Sequence, residues 1–314
     1  MVKYWKCVDA GSEYCPCYLA ETKNCISCSQ LRGEEFCDCQ WNGVCILNEY
    51  INNLEKVSLS RKNYKGKIID KKILENGVVI IKIKTEKDLV KNLMEPGSYV
   101  FIKGIKDEDY FKTPMSIFKI DSEANIYIVY QELGCKTKSL RDKYEINIRG
   151  PYWHGILGSR NLKNITNSKS LVIARGIGQS SILLATEKLI SNNNKVYIIL
   201  DKGKLNSLYF YDFFDDMDKV IIKELDLFTK EGSTFLESIL KKEKFSLVLS
   251  GGSNMLHRRI SSKISLLDEK PYFLTSNNGI LCCGEGVCGS CMVKTIDGTK
   301  TKLCKSLVAP NKLY

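Results

Sequence analysis

Cys283, Cys288 and Cys291 stand at C-x4-C-x2-C, and Cys304 follows with twelve residues between. Four thiolates at that spacing are the ligand set of a [2Fe–2S] cluster. A loop carrying three ligands in nine residues must fold tightly and turn backbone N–H groups towards the sulfurs. Gly284, Gly286 and Gly289 supply the dihedral freedom for this. Residues 292–294 then read as a short strand, Asp297-Gly298 as a turn, and the return strand delivers Cys304. A structural zinc site is the alternative, but zinc modules usually pair their ligands as two short knuckles, whereas here a triplet precedes one distant fourth. Cys282 reads as a packed thiol beside a ligand.

Eight further cysteines, Cys7, Cys15, Cys17, Cys25, Cys28, Cys37, Cys39 and Cys45, crowd a segment with little apolar periodicity. So small a piece needs a staple, and metal binding provides one. Eight thiols suffice for two four-ligand centres, or for one centre and several packed cysteines. Cys25-x2-Cys28 is a familiar knuckle; the C-x-C pairs at 15/17 and 37/39 are less typical. The expectation is a second metal centre on a subset of the eight, a further iron–sulfur cluster in preference to zinc.

The elements that position these thiols lie between the two blocks. Of fourteen cysteines only Cys135 falls in the middle of the 314-residue chain. A cysteine usage so uneven, without a secretory leader, argues for metal over disulfides. The longest apolar runs, 78–81 and 196–200, are strand-sized, so the expectation is a cytoplasmic, soluble protein with no membrane partner. The formal net charge of +11 comes from scattered lysines and accompanies no nucleic-acid motif, which argues against a nucleic-acid partner.

Residues 60–155 are β-rich. Runs at 64–70, 73–85, 99–103, 115–120, 126–131 and 145–149 are separated by turn chemistry, with Asn76-Gly77 as a hairpin signal. The expectation is a closed antiparallel barrel interrupted by a helix at about 137–143. Residues 165–272 alternate strands (170–174, 195–200, 220–223, 246–249) with helices (180–190, 233–241, 255–265), the pattern of a doubly wound parallel sheet. Gly176/Gly178 and Gly251/Gly252 follow strands there, where a phosphate would meet a helix N-terminus. Asp201 could bond a ribose 2′-hydroxyl and Lys202 a 2′-phosphate. The fold class is thus multi-domain, α+β and α/β: a Cys-rich segment at 1–55, a β-barrel, a parallel nucleotide-binding domain, and a cluster-binding domain at 273–314.

Taken in order, these motifs resemble the ferredoxin-NADP reductase-like superfamily. Glu95-Pro96-Gly97-Ser98-Tyr99-Val100 stands for its P-G-x-[FY]-V strand, Thr113-Pro114-Met115-Ser116 for its R-P-x-S flavin loop, and Gly134-Cys135-Lys136-Thr137 for its G-x-x-T phosphate helix. Lys112 and Thr113 occupy the place of the loop's arginine. ARGIGQSS and SGGSNM stand for the two glycine turns of the nucleotide domain, with Met255 at the family's methionine but without its usual Pro and Cys. With the carboxy-terminal cysteines added, residues 60–310 resemble the electron-transfer subunit of dihydroorotate dehydrogenase B and the small subunit of NADH-dependent ferredoxin:NADP oxidoreductase. The first 55 residues lie outside that pattern.

The resemblance implies FAD held by Tyr99, Thr113, Pro114, Met115, Ser116, Gly134, Lys136 and Thr137. It implies NAD(P) at Gly176, Gly178, Asp201, Gly251, Gly252 and Met255, and [2Fe–2S] on Cys283, Cys288, Cys291 and Cys304. It further implies an oxidoreductase subunit, part of a hetero-oligomer, that passes electrons between NAD(P)H, FAD, the cluster and a flavin- or iron–sulfur-containing partner subunit. Ferredoxin is a further candidate partner. No side-chain acid or base is required, and His154 and His257 read as packing residues. Two alternatives stand beside this: a relay subunit with a degenerate nucleotide site, and the dihydroorotate dehydrogenase B subunit itself.

Overall fold

The computed structural model describes residues 6–314, which fall into two compact units. One comprises Asn63–Asn278 with Ala309–Lys312 and Tyr314; the other comprises residues 6–62 with Gly279–Val308 and Leu313. The cysteine-rich start of the chain and the cysteine loop near its end thus share one unit, where the sequence suggested separate domains at 1–55 and 273–314.

The larger unit begins with an antiparallel sheet of β1 (Lys62–Ile73), β2 (Val78–Lys84), β3 (Tyr99–Gly104), β4 (Thr113–Ser116), β5 (Lys119–Ile120), β6 (Ile126–Gln131) and β7 (Glu145–Tyr152). β-Branched residues at 78–83 bury both faces of β2, which makes it a central strand. The hairpin signal is real. Asn76 (φ 57°) and Gly77 (φ 69°) both turn left-handed and divide β1 from β2, so the run read as 73–85 is two strands. The order is β4-β3-β7-β1-β2-β6-β5. The ladder is therefore a curled half-barrel with two edges, in place of the closed barrel expected. Those edges are consecutive in the chain, and Ile117 and Phe118 alone carry it from β4, paired to β3, to β5, paired to β6. The helix expected at 137–143 is one turn, Cys135–Lys138, and an unforeseen helix Lys87–Leu93 plugs the curl with Leu89, Val90 and Leu93.

The second sheet comprises β8 (Ile156–Leu157), β9 (Lys169–Arg175), β10 (Lys195–Asp201), β11 (Val220–Glu224), β12 (Leu247–Gly251) and β13 (Tyr272–Ser276). Its order is β11-β10-β9-β12-β13-β8, parallel except for β8. β13 runs across the limit at 272–273 suggested by the sequence. Helices Leu183–Ser191, Lys230–Glu243 and Asn254–Ser265 connect the strands. Chain order reverses between β9 and β12, the switch point at which open parallel sheets bind ligands. The two sheets share a core: Val78, Ile80, Phe118 and Val129 pack with Ile182, Tyr209 and Phe210.

The smaller unit has few regular elements: helices Tyr18–Glu21 and Ile46–Asn52, and a hairpin of β14 (Met292–Lys294) and β15 (Lys300–Lys302). Its apolar cluster is only Ala20, Cys25, Cys28, Leu31 and Ile46, with Trp41, Leu47 and Tyr50 packed on it. Its early and late segments are stitched by backbone bonds, Val8 N–H to Lys305 O at 2.7 Å and Leu307 N–H to Lys6 O at 2.7 Å. Among the described residues no helix is long and apolar enough to cross a membrane.

Candidate functional site

The late cysteine loop brings its four thiols together. The Cys304 thiol hydrogen-bonds the sulfurs of Cys283 and Cys291, and Cys283 also meets Cys288. Hydrogen bonding from Cys304 holds the Cys283 and Cys291 thiols below the usual cysteine range, while Cys304, the donor, is raised. Backbone N–H groups of Glu285 and Cys288 point at the Cys283 sulfur, the first at 3.3 Å. Left-handed backbone at Gly284, Gly286 and Gly289 (φ 71–76°) makes that wrap. The donor set fits a [2Fe–2S] cluster: four soft ligands and N–H groups that stabilise negative sulfur. Among the described residues no group of three or more His, Cys, Asp or Glu side chains is set to hold one metal ion. A binuclear cluster asks for a different arrangement, two thiolates on each of two irons.

Behind this loop lies a buried charge quartet that the sequence reading missed. Arg61 donates to Asp9 Oδ1 at 2.7 Å and to Glu285 Oε2 at 2.8 Å, and its guanidinium lies 4.4 Å over the Tyr14 ring. Lys305, fully buried and next to Cys304, bonds Asp9 Oδ2 and Glu285 Oε2. Burial works against each charge, but Asp9 above all keeps Lys305 above the usual lysine range, and Lys305 and Arg61 keep Asp9 below the usual carboxylate range. Two acids balance two bases, and no charge is left alone. Nothing in the local sequence marks Asp9, Arg61 or Lys305, because the partners are far apart in the chain. Of the early cysteines, Cys25 and Cys28 are buried, Cys7, Cys15, Cys17 and Cys39 half-buried, and Cys37 and Cys45 exposed.

The residues assigned to the flavin converge in part. β4 carries Thr113–Ser116 alongside β3, with Ser116 opposite Tyr99 and Pro114 opposite Phe101. Tyr99 is buried and stacked on Tyr152 at 5.1 Å, so it supports the loop from within. Thr113 donates its hydroxyl to Phe111 O at 2.9 Å, and Met115 is buried. Lys136 Nζ reaches Lys112 O at 3.4 Å, which ties the Gly134–Thr137 turn to the flavin loop. Thr137 Oγ1 accepts the N–H groups of Leu133 (3.1 Å) and Gly134 (3.3 Å), and the space beside Gly134 is open.

At the switch point of the parallel sheet the two glycine turns meet. A Cβ on Gly178 would lie 2.3 Å from Gly251 O, and one on Gly251 would lie 2.6 Å from Gly178 O. These glycines are required by each other. Asn278 Nδ2 holds the second turn through Gly252 O at 2.7 Å. His257, beneath it, bonds Ser250 at 2.8 Å and Ser276 at 3.1 Å, and burial pulls its pKa down to about 4, so it is a neutral structural imidazole. His154 is buried as well. Met255 is exposed in the first turn of its helix. Asp201 is placed otherwise than a ribose partner requires. It is 2% exposed, Oδ1 accepts Gly203 N–H at 2.8 Å, and Oδ2 accepts Leu227 N–H at 2.9 Å and the Arg175 guanidinium. Arg175, which also pairs with Asp226 at 3.0 Å, was not singled out in the sequence. Lys202 is half-exposed, 3.9 Å from Glu224.

No family model matches the chain. It is similar over 224 residues, at 27% identity, to a dihydroorotate dehydrogenase B (NAD(+)) electron transfer subunit homolog of Aquifex aeolicus, covering 69% of this chain and 84% of that one. It is 23% identical over 241 residues to the dihydroorotate dehydrogenase B (NAD(+)) electron transfer subunit of Enterococcus faecalis, covering 72% and 87%. Among solved structures, NADH-dependent reduced ferredoxin-NADP oxidoreductase superposes with a TM-score of 0.62 at 16% identity, over 79% of this chain and 89% of that one. The ferredoxin reductase of carbazole 1,9a-dioxygenase gives 0.52 at 12% identity, over 70% of each.

Proposed function

We propose that the chain, which is similar over about 70% of its length to dihydroorotate dehydrogenase B electron transfer subunits, is an electron-transfer flavoprotein subunit linking NAD(P)H to a partner oxidoreductase. The observation that carries the reading is the convergence of Cys283, Cys288, Cys291 and Cys304 in one N–H-rich loop of a chain with this fold. Bound flavin would exchange a hydride with nicotinamide and single electrons with a [2Fe–2S] cluster on those thiolates.

The residues of this chain would do the placing. Thr113–Ser116 lies on an edge strand stiffened by the Tyr99–Tyr152 stack, and Lys112, Lys136 and the Gly134–Thr137 turn present cationic and N–H groups suited to a flavin phosphate. Gly176, Gly178, Gly251 and Gly252 keep the switch point flat enough for a dinucleotide to approach backbone. The early cysteines would hold a second metal centre. The partner is a flavin- or iron–sulfur-containing subunit of a hetero-oligomer, with ferredoxin as a further acceptor or donor.

A relay subunit that does not turn over nucleotide is favoured by one observation, the full engagement of Asp201 by Arg175, Gly203 and Leu227. Anaerobic absorbance spectra before and after NADH or NADPH separate the two. Bleaching of flavin and cluster bands by one nucleotide is expected; intact bands that neither nucleotide bleaches would establish the relay, and a colourless anaerobic preparation would remove both readings.

A further inference from the structure

Arg175 is the last residue of β9, and its side chain runs along the carboxyl end of the parallel sheet. Its root stands beside the second glycine turn, since a Cβ on Gly252 would lie 3.6 Å from Arg175 Cβ. Its stem covers the backbone after β10, where a Cβ on Gly203 would lie 3.2 Å from Arg175 Cγ and 3.4 Å from Nε. Its tip reaches the ends of β10 and β11: Nη1 donates to Asp201 Oδ2 and to Asp226 Oδ1, the second at 3.0 Å. The guanidinium carbon lies 4.4 Å from the centre of the Phe228 ring. One side chain thus spans the ends of three strands and is held at its tip by two carboxylates and a ring.

That path is the one a dinucleotide needs. In an open parallel sheet the pyrophosphate lies at the turn after the first strand, and the adenosine ribose at the end of the next, where an acid takes its 2′-hydroxyl. Here the turn is Gly176–Ser181 and the acid is Asp201, with the Arg175 side chain between them. Asp201 is buried and already accepts three donors, so the acid at the ribose position is withdrawn from a ligand. Asp226 and Glu224 are the neighbouring acids at this end. Without Arg175, Lys202, 3.9 Å from Glu224, is the remaining ion-pair partner of these three acids among the described residues.

We infer that Arg175 is the specificity-determining residue of this crevice: its bridge to Asp201 and Asp226 fills the adenosine end, withholds Asp201 from a ribose and keeps affinity for either nicotinamide nucleotide low. The inference rests on the reading that the parallel sheet is a nucleotide site, and it names the side chain that sets what the site accepts. The bridge has a firm end and a loose one. The Asp201 side chain is 2% exposed, whereas that of Asp226 is 54% exposed, and an exposed pair contributes little. Nucleotide enters when Arg175 leaves both acids, so apparent affinity is reduced by the fraction of chains in which the bridge is open. Removing the guanidinium makes that fraction one and returns Asp201 to a ribose. The acids left at this end repel a 2′-phosphate, so the gain falls mainly on NADH.

The test uses the full chain, purified anaerobically, with flavin and iron content and the melting temperature as folding controls. Calorimetric titration with NADH, NADPH and ADP-ribose gives the affinities of wild type, Arg175→Gly, Arg175→Lys and Asp226→Asn. Arg175→Gly is expected to bind NADH and ADP-ribose about tenfold more tightly than wild type, with a smaller gain for NADPH. Asp226→Asn, which loosens only the exposed end, is expected to gain about two- to fivefold for NADH. Arg175→Lys, which keeps a cation on the acids, is expected to gain less than Arg175→Gly. NADH binding that is unchanged or weaker in Arg175→Gly would overturn the inference, the weaker case making Arg175 a nucleotide ligand. An equal gain for NADPH, or no binding in any of the four proteins, would overturn it as well. Should Arg175→Gly not fold, Asp226→Asn decides: a gain for NADH supports the inference and no gain overturns it. The reading beneath fails differently. Flavin and cluster bands bleached by NADH in wild type, with an affinity that Arg175→Gly leaves untouched, keep the electron-transfer reading and remove the inference. ADP-ribose binding that tightens in Arg175→Gly, in a protein free of flavin and iron, keeps the inference and removes the electron-transfer reading.

Discussion

The two units of this molecule solve the problem of burial in opposite ways. The larger hides aliphatic strands on both faces of two sheets, with Ile81, Ile83, Ile102, Ile173 and Leu249 at or near zero exposure. The smaller buries sulfur and charge, with Asp9, Arg61 and Lys305 inside and only a handful of aliphatics around them. Hydrophobic burial tolerates small errors of position, whereas buried charges and ligand thiols are stabilising only when every partner is present. The larger unit is therefore robust and the smaller one conditional.

The sharpest way to break this contrast is Arg61→Ala. It takes from Asp9 and Glu285 one of the two cations they share, leaving Lys305 alone between two buried acids, and removing one member of a buried pair costs about 3–5 kcal/mol. Hydrogen exchange should rise across residues 6–62 and 279–308 while β2, β9 and β12 keep their protection; a uniform rise would mean that the two units are not independently stabilised. Gly178→Ala strikes the larger unit instead. Its methyl would meet Gly251 O, and such overpacking costs about 1–3 kcal/mol, read as a lower denaturant midpoint with the smaller unit's protection unchanged. The smallest effect is a pH slope. His257 stays neutral in the fold down to about 4, while the unfolded chain protonates it near 6.5. Its contribution is complete above pH 6.5 and is lost as pH falls towards 4, about 0.7 kcal/mol between pH 7 and pH 6. His257→Asn should flatten unfolding free energy against pH over that interval, and an unchanged slope would assign it to other groups.

Much of the larger unit could be read from sequence because its signals are local. Strand–helix alternation, Asn76-Gly77 and the glycine turns each act within a few residues, and the ordered motifs pointed to the family that the relatives bear out. Errors lay where closure is decided at a distance. The half-barrel is open because 113–120 serves two edges, and β13 was cut off because its pairing with β12 is long-range. Asp201 looked like a ribose ligand because its strand-end position is right, but its oxygens answer to Arg175, Gly203 and Leu227. Lys305 is one of 47 Lys and Arg residues, and only its neighbours in space set it apart.

The stitching of Lys6 and Val8 to Leu307 and Lys305 also sets a timetable. During synthesis, the early cysteines leave the ribosome before the whole of Asn63–Asn278, whose translation takes roughly 10–40 s at 5–20 residues per second. Through that interval eight thiols wait without Lys305, Glu285 or Ser306, which bridges to Cys7. The larger unit can fold meanwhile, but the smaller one matures only after translation has passed its last cysteine. Newly made chains are thus most open to oxidation and to the wrong metal before they are complete.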